Sequence, residues 1–379
     1  MTLSRRSTLG LLSAAALLGA LVPAAAQDAI KIGMTAPLTG AAAEIGHLQQ
    51  EGAKLGIERV NAAGGINGRK LELVVEDDQT TNPGIVLAFS RLINRGDLAA
   101  VLSSVRSTQV NAISADAKKA GIPVFFGGTD PTLTHSGNPW FFRARPNDLF
   151  SAKVIAAFGV NELKKKKWAV LHSTDAFGTN GSKALIAQLK DLGIEPVLVQ
   201  GFNNGQTDLT PVVLAVRQSG ADIIATYTAF ENDVAVLARQ LKQFGVTAPW
   251  IGSASVASTT AMQLAGPALY GTYAVADFNA DSNAQAKAYY EEFQKKVGRA
   301  PDYTSAWAYD AVLLLAEAIK KAGSTDPAKL REALLSIKDF KGTEGVYNFD
   351  ENGDGLRGYN IVRNDNGKIV FDRHIAFDK

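Results

Sequence analysis

The feature that most constrains this chain is an alternation of short β-rich runs with amphipathic stretches, starting at Ile30 and continuing through Tyr227. Strands are expected at Ile30–Met34, Leu71–Glu76, Ala99–Leu102, Pro123–Phe126, Trp168–His172, Glu195–Gln200 and Ile223–Tyr227. Helical spacing fills Leu48–Ala62, Gly84–Asn94, Val110–Ala120 and Leu209–Gln218, with further helices after Asn147 and after Gly178. Repeated strand–helix units predict parallel sheets covered by helices on both faces. Gly64-Gly65 and Gly121-Ile122-Pro123 stop two of the helices, since glycine tolerates a left-handed exit and proline cannot continue the turn.

The alternation then loosens. Three helices are predicted over Ser282–Val297, Ser305–Ala322 and Ala328–Ile337, followed by short strands near Val346–Phe349, Tyr359–Arg363 and Lys368–Phe371. Late helices must return to an earlier sheet, so the chain should form two lobes and cross between them more than once. A length of 379 residues suits two domains, at roughly 150 residues each.

The N-terminus has its own logic. Arg5-Arg6 precede an apolar run from Leu9 to Val22, and Ala24-Ala25-Ala26 close the segment. This is the three-part plan of an export signal over residues 1–26, with cleavage expected after Ala26. A bilayer-crossing helix needs roughly 20 apolar residues, more than this run supplies. The chain has no cysteine, which excludes disulfides, thiolate metal sites and a lipidated N-terminal Cys. The exported product is thus expected free in a periplasm. Of 39 basic and 37 acidic residues, Arg5 and Arg6 account for the whole excess, so the remainder is neutral. A nucleic-acid partner, which needs a broad basic field, is not expected.

Catalytic and metal motifs are missing. His47, His135, His172 and His374 are scattered without ligand spacing, and Gly252-Ser253-Ala254-Ser255-Val256 is not a nucleophile elbow. Asp350-Glu-Asn352-Gly-Asp354-Gly355 begins like a calcium loop, but Ile361 stands where the bidentate Glu belongs, so a hairpin turn is expected. No cofactor, metal or enzymatic activity is expected.

A set of short motifs in fixed order carries more. Asn61-Ala-Ala-Gly64-Gly65-Ile66-Asn67-Gly68-Arg69 leads into a strand ending at Asp77-Asp78, and Pro37-Leu38-Thr39-Gly40 follows the first strand. Ser107-Thr108, Ala120-Gly-Ile-Pro123, Tyr309-Asp310-Ala311 and Tyr347-Asn-Phe349-Asp-Glu-Asn-Gly353 come later. Across residues 28–375 the chain resembles the leucine/isoleucine/valine-binding branch of the type I periplasmic solute-binding proteins. The resemblance implies an α/β fold of two Rossmann-like lobes joined by a three-crossover hinge. Crossovers are expected near Pro146, Val275 and Glu344, giving lobe one as 27–146 plus 276–344 and lobe two as 147–275 plus 345–379. It also implies a monomer that closes on a small solute and hands it to the membrane permease of an ABC transporter. A sensor or receptor partner, and an amide or urea-type solute, are the alternatives.

The same resemblance implies that Ser107 and Thr129 hold a ligand carboxylate, with Ser104, Gly127 and Gly128 nearby. Helix-opening hydroxyls and free amides suit an anion, though Ser107 and Thr129 also read as ordinary helix caps. Arg106 is either a second donor or a solvent-facing side chain. Ala254 occupies the place where amino-acid-binding relatives carry a Glu for the ammonium group, with Asp233 and Asp175 as possible substitutes. Ile45, Phe177, Tyr227 or Phe230, and Tyr303 or Thr304 are the candidate walls. Without an ammonium partner, the expected ligand is a hydrophobic or aromatic organic acid, with a branched-chain amino acid as the alternative.

Overall fold

The computed structural model describes residues 28–377. The expected export signal lies outside the described residues. Among those residues no helix is long and apolar enough to cross a membrane.

The first sheet is built from β1 (Ile30–Ala36), β2 (Leu71–Asp77), β3 (Leu98–Leu102), β4 (Val124–Phe126) and β5 (Phe141–Arg143). Its order is β2-β1-β3-β4-β5, and every pairing is parallel. Helices α1 (Ala43–Ala62), α2 (Asn82–Ile93), α3 (Ser107–Ala112) and α4 (Ser114–Ala120) connect these strands. The second sheet takes β6 (Trp168–Ser173), β7 (Leu198–Phe202), β8 (Ile223–Tyr227), β9 (Trp250–Gly252) and β10 (Tyr273–Ala276), all parallel. Its connecting helices are α5 (Asp148–Ala157), α6 (Ala176–Asp191), α7 (Thr210–Ser219), α8 (Glu231–Gln243) and α9 (Thr259–Ala265).

The chain then goes back. Helices α10 (Ala284–Val297), α11 (Tyr303–Ala322) and α12 (Pro327–Leu335) follow, and Leu314, Ile319, Leu330 and Leu334 join the core over β1 and β3. Packing of α11 on α1 is close: a Cβ on Gly52 would stand 2.0 Å from the Ser305 carbonyl oxygen, so only glycine fits. A small pair, β11 (Phe340–Lys341) and β12 (Val346–Tyr347), leads to the antiparallel hairpin β13 (Gly358–Asp365) and β14 (Lys368–Ala376). That hairpin completes the second sheet in the order β14-β13-β10-β9-β8-β6-β7. The central strands of each sheet are buried on both faces, which is why they read as continuous apolar runs, whereas the edge strand β14 alternates.

The expected α/β class with parallel sheets is what the structure shows, with local differences. The single helix expected over Val110–Ala120 is two, broken at Ile113, whose backbone leaves helical geometry at φ −96° and ψ 0°. The strand expected at Glu195–Gln200 begins at Leu198, because Pro196 has no N–H for the ladder. Helix α1 begins at Ala43 rather than Leu48.

The calcium-like loop folds as a turn whose acids are used internally. Asp350 Oδ1 accepts from the Asn352 and Asp354 amides, both at 3.0 Å. Asp354 accepts from Arg143 Nε at 2.7 Å and from Asn147 Nδ2 at 3.0 Å, and the Arg143 guanidinium holds its carboxyl well below the usual range despite burial. Removing one member of such a buried pair strands the other charge. Asp354→Ala is therefore expected to cost about 3–5 kcal/mol in urea unfolding, while added calcium leaves the wild-type midpoint where it was.

Candidate functional site

A cavity of about 280 Å³ lies between the carboxyl ends of the two parallel sheets, the edge where open α/β sheets bind ligands. Helix beginnings converge on it: Ser107 opens α3, Asp148 opens α5, Phe177 is the second residue of α6, Glu231 opens α8 and Tyr303 opens α11. The cleft is shut. Arg106 Nη1 donates to the Ala229 carbonyl at 2.7 Å, Asn180 Nδ2 to Asp130 at 2.8 Å, and the Ala176 amide to Thr108 Oγ1 at 3.3 Å.

Of the expected site residues, Arg106, Ser107, Thr129, Phe177, Phe230, Ala254 and Tyr303 line this cavity. Ser107 Oγ accepts from the Asp130 amide at 3.2 Å, which leaves its own proton free for a ligand oxygen. Thr129 differs: its hydroxyl donates to Asp148 Oδ2 at 2.8 Å, so toward a ligand it offers lone pairs.

The other expected residues stand outside the lining. Ser104 shapes the β3–α3 loop, accepting from the Arg106 amide at 3.0 Å and donating to Gln109 at 2.6 Å. Gly127 and Gly128 permit close packing: a Cβ would lie 2.9 Å from the Trp307 ring on Gly127 and 3.1 Å from Ser107 Cα on Gly128. Ile45 is buried in the first turn of α1, because that helix starts earlier than expected. Tyr227 is enclosed behind Phe177, with ring centroids 5.8 Å apart. Thr304 is spent on Asp302, which caps α11.

Acids do stand in the cavity wall, Asp175 from the expected candidates among them. Ala254 does line the cavity without a carboxylate, but Glu231, Asp175 and Asp148 line it as well. Glu231 is 5% exposed; its Oε1 accepts from the Tyr303 hydroxyl at 3.2 Å, and its Oε2 lies 3.6 Å from Arg106 Nη2. Burial pushes its carboxyl above the ordinary range, with Arg106 pulling the other way. Asp175 caps α6 through the Gly178 amide at 2.8 Å and accepts from Asn204 at 2.7 Å. Asp233 sits behind the wall, where both its oxygens accept from the Gly205 amide. A signal for Glu231 was present in the sequence: an acid that opens a helix four residues beyond a buried strand points to the ligand edge.

Beneath the cavity, Arg145 is locked to Asp277 through Nε and Nη2, and its Nη1 donates to the Gly127 carbonyl at 2.9 Å. Its guanidinium carbon lies 4.3 Å from the centre of the Tyr303 ring. Glu344 is buried nearby with both carboxylate oxygens lacking hydrogen-bond partners, and burial pushes its pKa far up. Among the described residues no group of acids and histidines could hold a metal ion.

A cavity at the carboxyl ends of two doubly wound lobes, lined by polar groups and aromatic rings, defines a solute-binding protein of the two-lobe class. The chain belongs to the periplasmic binding protein family, whose sequence pattern matches residues 29–368. It is 32% identical to an amino acid binding protein of Pseudomonas aeruginosa over 328 residues, 86% of this chain and 87% of the relative. It is 29% identical to the leucine-, isoleucine-, valine-, threonine- and alanine-binding protein of the same organism over 87% of this chain and 88% of the other. Among experimental structures, a leucine binding protein from Thermotoga maritima superposes with a TM-score of 0.86 at 25% identity, covering 92% of this chain and 99% of that one. A branched-chain amino acid transporter substrate binding protein from Streptococcus pneumoniae, in complex with isoleucine, gives 0.84 at 26%, covering 92% and 100%.

The buried acids set a pH dependence. Burial pushes Asp148, Asp233 and Asp310 to about 6 from 3.8. Between those values the folded chain binds more protons than the unfolded one, so stability falls as pH rises through that window. Asp354 works oppositely: its contribution is present above the unfolded pKa and disappears in stronger acid. Ligand-free protein is expected to melt highest near roughly pH 4 to 5 and to lose stability toward neutrality. Asp148→Asn should flatten part of that decline, as followed by thermal unfolding across the pH series. An unchanged midpoint between mildly acidic and neutral buffer would count against it.

Proposed function

We propose that the protein is the exported solute-capturing component of an ABC importer, closing on a small carboxylate-bearing solute and delivering it to the permease. The observation that carries this reading is the cavity between the two sheets, lined together by the Ser107 hydroxyl, the Arg106 guanidinium, the Glu231 carboxylate and the Phe177 and Phe230 rings. Hydroxyl and guanidinium groups suit a carboxylate, a buried Glu suits an ammonium group, and the rings suit an apolar side chain. An α-amino acid carries all three. Glu231 thus removes the reason for preferring an organic acid, although Arg106 stacked on Phe230 keeps an aromatic acid as the second reading.

The division into 27–146 plus 276–344 and 147–275 plus 345–379 is part of this proposal. It is supported by sheet membership: β1–β5 with α10–α12 on one side, β6–β10 with β13 and β14 on the other. A cleavable signal over residues 1–26, a monomeric product free in the periplasm, and binding without chemical turnover complete the reading. Names of the relatives support the amino-acid class.

Calorimetry on ligand-stripped mature protein against L-leucine, L-isoleucine, 4-methylpentanoate and benzoate tests the reading. One-to-one binding of a carboxylate is expected, with stability raised by about 2.7 kcal/mol at a hundredfold excess over Kd. Failure to bind any of the four, or consumption of a bound solute, would sink it.

A further inference from the structure

Arg106 is unusual among the cavity residues because its guanidinium is divided between two tasks, only one of which is filled. Its backbone is fixed: the amide donates to Ser104 Oγ at 3.0 Å, and the carbonyl accepts from the Val110 amide at 3.0 Å as α3 begins. Its side chain crosses the cleft to a continuous segment of the opposite wall. Nη1 donates to the Ala229 carbonyl at 2.7 Å, and the guanidinium carbon lies 3.8 Å from the centre of the Phe230 ring. Nη2 stands 3.6 Å from Glu231 Oε2, close enough to balance charge but beyond a hydrogen bond.

The other edge makes no hydrogen bond, with Glu231 standing off its Nη2 end. The side chain is 10% exposed, yet neither Nε nor Nη2 has a hydrogen-bond partner among the described residues. Those two atoms form the side of a guanidinium that takes a carboxylate in paired, parallel hydrogen bonds. Buried N–H groups left unpaired are costly, so an anion reaching that edge gains more than it could from an exposed arginine.

We propose that Arg106 couples ligand capture to closure, its Nη1 edge holding the Ala229–Glu231 segment across the cleft while its Nε–Nη2 edge takes the ligand carboxylate. This rests on the reading that the cleft binds a carboxylate-bearing solute, and goes further by naming the residue that makes shutting depend on the anion. A carboxylate on the Nε–Nη2 edge orients the fork, and the oriented fork presents Nη1 to the far wall. A ligand without an anion leaves the fork free to turn away. Lysine cannot replace it: one ammonium supplies charge but cannot span both edges in a fixed plane.

The test uses mature wild type, Arg106→Gln and Arg106→Lys, with L-leucine, 4-methylpentanoate and benzoate as probes. Calorimetry reads affinity, and small-angle scattering reads compaction at saturating probe. Thermal unfolding checks each variant for folding, and Arg106→Lys keeps the buried charge should Arg106→Gln fold poorly. Arg106→Gln is expected to weaken each carboxylate that wild type binds by about 10- to 100-fold. Arg106→Lys should lose less affinity but, like Arg106→Gln, fail to reach wild-type compaction when saturated. Wild-type affinity in Arg106→Gln overturns the proposal, and so does weakened binding with full compaction at saturation in both variants. If wild type itself binds none of the probes, the carboxylate-capture reading falls, and this inference with it.

Discussion

The buried pair between Arg145 and Asp277 is the constraint on which the two-lobe arrangement depends. These residues are 132 positions apart, one just beyond β5 where the chain leaves the first sheet, the other just beyond β10 where it comes back. Burying both charges is expensive, and only tight pairing with supporting hydrogen bonds makes it tolerable. The Gly127 carbonyl on Arg145 and the Tyr303 ring beside it provide that support. Two crossings are thereby tied at one point directly under the ligand cavity. A third joins them there: Glu344 is buried within the field of Asp277 and Arg145, and its amide donates to Asp310 at 3.1 Å.

Above this pair, the cavity is organised by helix beginnings. Asp148, Asp175 and Glu231 each stand at or beside the start of a helix, where exposed amides favour negative charge. Burial works against that preference, and for Asp148 and Glu231 burial wins, since both are pushed upward. Asp175 is the best served of the three, with an amide and the Asn204 side chain on its oxygens. The result is a wall whose acids differ in how much hydrogen bonding they already receive. Glu231 has one hydrogen bond, from the Tyr303 hydroxyl, and leans on the charge of Arg106 at 3.6 Å.

The fold was legible because parallel strands buried on both faces leave long apolar runs, and because glycines such as Gly64 and Gly121 adopt the left-handed exits their positions suggested. Boundaries were less legible where local backbone chemistry intervened, at Ile113 inside a continuous helical pattern and at Pro196 before β7. In the site, the β3–α3 and β4 loops could be placed by chain order, which located Ser107, Thr129 and Arg106. Glu231 was missed although Asp233 of the same helix was considered, because which residue of α8 lines the cavity depends on where the helix starts, at Glu231 itself. Gly127, Gly128 and Ser104 stand behind lining residues rather than in the lining, a distinction set by side-chain packing that periodicity does not carry. The same holds for Tyr227, whose burial behind Phe177 follows from the absence of a side chain at Gly181.

The late return of the chain has a kinetic consequence. In the second sheet β10 pairs with β9 on one side, but its other neighbour, β13, is supplied only after three intervening helices packed elsewhere. Until residues 358–376 arrive, β10 presents an open row of amides and carbonyls, the kind of edge that recruits stray strands. Such long-range closure is slow. The nascent chain therefore cannot finish its second lobe domain by domain as it emerges, and the interval before its final hairpin docks is when a holding chaperone has the most to protect.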